Sequence, residues 1–94
     1  MQALQPTNED LGTALRRLRK QRKLTIEELA RQATVHGTYV SLIERGQANP
    51  TWDVISSITT ALNTKPSKLV AWAEEACAAR TAQTENGQPA EGSA

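Results

Sequence analysis

The stretch Thr25-Ile26-Glu27-Glu28-Leu29-Ala30-Arg31-Gln32-Ala33-Thr34-Val35-His36-Gly37-Thr38-Tyr39-Val40-Ser41-Leu42-Ile43-Glu44-Arg45-Gly46 reads as two short helices with almost nothing between them. Thr25 followed by Glu28 is a capping box, in which the hydroxyl accepts the glutamate N–H and the carboxylate accepts the threonine N–H. The helix it opens continues through Leu29, Ala30 and Ala33 and then stops. A second helix over residues 37–45 turns Val40 and Ile43 inward and ends at Gly46, the residue type that most easily takes the left-handed turn closing a helix. Only Thr34, Val35 and His36 separate the two. So short a link makes them cross steeply, with Ala30 allowing close approach and Leu29, Val40 and Ile43 filling the crossing. The outer face then carries His36, Gly37, Thr38, Ser41, Leu42 and Arg45. These short or polar groups stand on a helix of the right width for a DNA major groove.

Working outward, Thr7, Asn8, Glu9 and Asp10 supply a capping oxygen and two first-turn carboxylates for an earlier helix. Its Leu11, Ala14, Leu15 and Leu18 keep the spacing of one buried face. Downstream, Asn49, Pro50 and Thr51 form a turn and a cap for a helix over residues 52–62, in which Ile55, Ile58 and Leu62 share a face. Asn63 closes it, and Pro66 suits the first position of a last helix running to about residue 80. Leu69, Trp72, Ala73 and Ala76 lie on one face of that helix, placed either to close the core or to meet a partner subunit. Trp52 is expected to be a partly buried packing residue, His36 a helix cap and Cys77 a small apolar filler. Five helices and no strand signal predict an all-α domain over residues 7–80, a compact five-helix bundle containing a helix-turn-helix. Residues 81–94 are small and polar and are expected to form a disordered tail.

The chain has 94 residues, enough for one small domain. Tyr39, Trp52 and Trp72 are its only aromatics, so the core must be built from Leu, Ile, Val and Ala, which suits short packed helices. No apolar run approaches the roughly 18 residues that span a bilayer, and residues 1–6 lack the features of a secretory signal. No membrane association and a cytoplasmic location are therefore expected. One cysteine and one histidine provide no disulfide framework or zinc set, so no metal and no cofactor are expected. No nucleophile-and-base set or phosphate-cradling glycine loop is present, which argues against an enzyme. The net charge of +1 hides an asymmetry: residues 1–68 hold ten Lys and Arg against six Asp and Glu, and six of the eight residues over 16–23 are basic. A basic body with an acidic end fits a polyanion-binding domain.

In order and spacing, the sequence resembles the Xre/Cro-type helix-turn-helix proteins, the DNA-binding domains of the phage lambda and 434 repressors. The resemblance rests on Leu18-Arg19, Leu24-Thr25, Glu28-Leu29-Ala30, Val35, Thr38-Tyr39-Val40-Ser41, Ile43-Glu44-Arg45-Gly46, Asn49-Pro50-Thr51 and Ala61-Leu62. It covers about residues 9–72. Residues 35–41 also look like the small controller proteins of restriction–modification systems.

The resemblance implies a transcriptional regulator, in the repressor sense, that binds a pseudo-palindromic double-stranded DNA operator as a homodimer without a small-molecule effector. Thr38, Ser41 and Leu42 match positions that touch base edges. Arg19, Thr25, Tyr39, Arg45, Gln47 and Asn49 match positions that touch phosphates. Arg19 and Glu44 match a structural ion pair. The sequence departs from the family at Lys23 and Thr34, where glycine is usual, at Ile26, where a phosphate-binding glutamine is usual, and at Gly37, where many relatives carry a base-reading glutamine or arginine. Ile26 and Gly37 are the features that favour an alternative reading, a helical protein-interaction module or antitoxin-like adaptor with weakened DNA reading.

Overall fold

Three of the helices begin where a threonine can cap them, and two of those caps are full boxes. Thr7 and Asp10 exchange hydrogen bonds at the start of α1 (Asn8–Gln21), and Thr25 and Glu28 do so at the start of α2 (Ile26–Ala33). The Thr25 N–H holds the Glu28 carboxyl below its usual range. After α3 (Gly37–Glu44), the Thr51 hydroxyl accepts from the Val54 N–H to open α4 (Trp52–Ala61), and Pro66 leads α5 (Pro66–Asn86). The computed structural model describes residues 5–86, and among these residues every regular element is helical.

Each helix contributes its apolar stripe to one core. Leu15 and Leu18 of α1, Leu29 of α2, Val40 and Ile43 of α3, Ile58 of α4 and Leu62 just beyond it are almost completely buried. Burial of each such side chain contributes about 2 kcal/mol. At the far end of α1, the Arg22 guanidinium donates to the Leu62 carbonyl at 2.9 Å, satisfying an orphan acceptor at the end of α4.

Antiparallel to α1 lies α5, as two ion pairs show. Arg17 meets Glu75 at 3.3 Å on the surface, and Arg80 grips Asp10 through Nε–Oδ1 at 3.0 Å and Nη2–Oδ2 at 2.8 Å. Of the two readings of that face, closing the core or meeting a partner subunit, Leu69 and Ala73 fit the first, being 2% and 3% exposed within this chain. The apolar face of α1 needs cover, and these residues of α5 supply it. Trp72 is half-buried, with the Arg17 guanidinium 3.9 Å from its ring centroid, and Ala76, one helical turn further on, is half-buried too. Cys77 is buried, as expected of a filler.

The last helix also outruns its expected end at residue 80, so the expected polar tail is helical over residues 81–86. Once nucleated, a helix gains one hydrogen bond per residue added, and Ala82, Gln83 and Glu85 are good helix formers that need no apolar cover. Residues 87–94 of that expected tail lie outside the described residues.

The Asp10 carboxylate is 3% exposed and accepts from Arg80 and from the Thr7 N–H and hydroxyl. Hydrogen bonding from Arg80 outweighs burial and holds its pKa at about 2, against an ordinary 3.8. A carboxyl depressed in the folded state contributes stability that is full above its unfolded pKa and is lost as pH falls through the folded value. The protein should therefore lose about 2 kcal/mol between about pH 4 and pH 2 through this group. Urea unfolding of wild type and Asp10→Asn across that window checks it. The expected result is a gap between the two that closes with acid, and a gap independent of pH would refute it.

Candidate nucleic-acid interface

The turn between α2 and α3 depends on one residue in an unfavourable conformation. Thr34 has φ 60° and ψ 45°, and its N–H continues the α2 ladder to Ala30 and Arg31. The left-handed region costs a branched residue about 1–2 kcal/mol, offset in part by the lower chain entropy of threonine when unfolded. Thr34→Gly should accordingly raise stability by about 1 kcal/mol in a thermal or urea melt. A loss of stability would mean the turn takes another path.

Beyond the turn, His36 occupies the cap position of α3, as expected, but its side chain accepts no cap hydrogen bond from the first turn. Val40 and Ile43 anchor the inner face, and half-buried Tyr39 packs against the core. On the outer side, Thr38 and Arg45 are exposed, while Ser41 and Leu42 are half-buried. The helix closes on Gly46 at φ +76°. The Gln47 N–H then bonds back to the Leu42 carbonyl at 2.8 Å, which ties the start of the following loop to α3, and both Gln47 and Asn49 of that loop are exposed. At the start of α2, exposed Thr25 accepts from the Glu28 N–H and still has a hydroxyl proton to donate. The side chain expected to be partly buried in this region, Trp52, is 63% exposed at the first turn of α4. This corrects that expectation: on α4 the inward positions belong to Val54, Ile55 and Ile58.

Arg19 stands apart from the other expected phosphate-binding residues. Its Nε and Nη2 meet the two Glu44 oxygens at 2.6 and 3.0 Å, and Nη1 donates to the Leu24 carbonyl at 2.8 Å. With its side chain only 10% exposed, it lies inside the fold and not on the outer face, so the structure supports the ion pair and not the phosphate role.

A close approach fixes the same C-terminal end of α3. A Cβ on Gly12 of α1 would fall 2.5 Å from the Glu44 carbonyl oxygen, and still nearer that of Ile43. A Cβ on Gly46 would fall 2.8 Å from Glu9 Cα. The backbone of α1 therefore lies directly on the C-terminal end of α3. The ion pair and this contact both fasten the C-terminal end of α3 to α1, on the side away from its outer face.

The family described as helix-turn-helix domain matches residues 10–72, and the chain belongs to it. With the matched residues and the architecture above, it is an Xre-type helix-turn-helix domain, a class whose fold is that of non-enzymatic DNA-binding regulators. Over 60 residues the chain is 33% identical to the immunity repressor protein of Bacillus phage phi105; these are 64% of this chain and 42% of that protein, so the chain spans less than half of that relative. The clp gene regulator ClgR from Corynebacterium glutamicum superposes with a TM-score of 0.83 at 29% identity, covering 88% of each chain. The restriction-modification controller protein C.AhdI from Aeromonas hydrophila gives 0.65 at 35% identity, over 66% of this chain and 94% of that one. The last agrees with the likeness to controller proteins read from residues 35–41. Among the described residues, no helix is long and apolar enough to cross a membrane.

Proposed function

We propose that the protein is a sequence-specific DNA-binding transcription regulator, acting as a repressor, that takes a pseudo-palindromic operator as a homodimer with α3 in the major groove. The observation that carries this reading is the exposed outer face of an α3 clamped from behind. Thr38, Ser41 and Leu42 then meet base edges, while Thr25, Tyr39, Arg45, Gln47 and Asn49 meet phosphates around them. The regulator and repressor names of the similar proteins support the same reading.

Selection of bound sites from random duplexes tests it. Two symmetry-related helices entering successive major grooves require half-sites about 10 base pairs apart. Phosphate contacts add affinity for any sequence, whereas base contacts add discrimination. Arg45→Ala should weaken binding to selected and random duplexes alike and reduce the salt dependence by about one ion. Thr38→Ala should cost about 1–3 kcal/mol on the selected site only. No enriched site, or equal losses on both duplexes for both variants, would move the adaptor reading ahead.

A further inference from the structure

The tip of α3 presents a surface different in kind from the rest of its outer face. Gly37, the first residue of the helix, has no side chain, and a Cβ built on it meets one atom within 4 Å, Ile26 Cγ2 at 3.9 Å. Ile26 is the first residue of α2, so the starts of the two helices meet at a junction of isoleucine methyl and glycine backbone. Both residues are half-buried, leaving part of this junction open to the outside. The residues flanking it in sequence, Thr25, Glu27, His36 and Thr38, are all polar and exposed.

In a recognition helix the N-terminal residues are those that reach base edges. At that place this protein offers a methyl group and no long hydrogen-bonding side chain. Of the four base edges in the major groove, only thymine presents an apolar group, its C5-methyl. The donors and acceptors of the other bases would lose water there without gaining a partner. The geometry points to Ile26 as a specificity-determining residue, packing over Gly37 to contact the C5-methyl of one thymine in each half-site. This inference rests on the regulator reading above.

Substitution of deoxyuridine for thymine removes the methyl and leaves pairing intact, so it isolates the contact. On the selected operator, the full chain is titrated against duplexes carrying uracil at each thymine in turn. One position per half-site should weaken binding about fourfold, the transfer value of a single methyl. In Ile26→Ala that loss should disappear. Gly37→Arg, whose new side chain has room beside Ile26, should shift the preferred base at the same position to guanine. Uracil tolerated at every thymine overturns the inference, as does a loss that persists unchanged in Ile26→Ala. Both outcomes occur on an operator the protein does select and leave the regulator reading standing, whereas failure to select any operator removes both.

Discussion

Glu44→Gln is expected to lower the unfolding free energy by about 3–5 kcal/mol, because it leaves the Arg19 charge without its counter-ion inside the fold. The carboxylate is 6% exposed and accepts two guanidinium N–H groups, one at 2.6 Å, so removing its charge exposes nothing to water that could compensate. Glu27→Gln is the control. Glu27 is exposed on the outer side of α2, and its loss should fall within about 0.5 kcal/mol of wild type. Urea denaturation of both variants decides the matter, and equal effects would remove the pair from the account of stability.

Gly12→Ala should destabilise the protein by about 3 kcal/mol, at the upper end of overpacking effects, because the added carbon meets backbone and not a flexible side chain. The sign is the informative part. In an exposed helix the same change stabilises by about 0.5–1 kcal/mol, since alanine is the better helix former. A higher melting temperature for Gly12→Ala would therefore show that α1 does not sit against the end of α3 as described.

The α2–α3 unit was legible because its signals are local: a capping box, a three-residue link and a closing glycine. The Arg19–Glu44 pair, 25 residues apart, carried no local signal and was read through family resemblance. Without such help, three features were hidden. The Asp10–Arg80 clamp joins residues 70 apart, and Arg80 on its own is one more helix charge. The role of Gly12 depends on α3 lying across it, which nothing near it in the sequence announces. The extent of α5 was underestimated because its last turns are small and polar, a composition shared by tails and by solvated helix ends. Of the residues expected on the outer face of α3, His36, Thr38 and Arg45 are exposed and Gly37, Ser41 and Leu42 are half-buried. The approach of Gly37 to Ile26 has no local signal, since it depends on how two helix starts converge.

The clamping of α3 from behind has a further consequence for how such a domain can change. Val40, Ile43 and Glu44 hold the helix in place, whereas Thr38, Ser41 and Leu42 make no side-chain hydrogen bond or ion pair among the described residues and none of them is fully buried. On the proposed reading, substitutions at those three positions should redirect the preferred operator while leaving the melting temperature nearly unchanged. A library screened for thermal resistance would pass them as silent, and only a screen on binding would separate them.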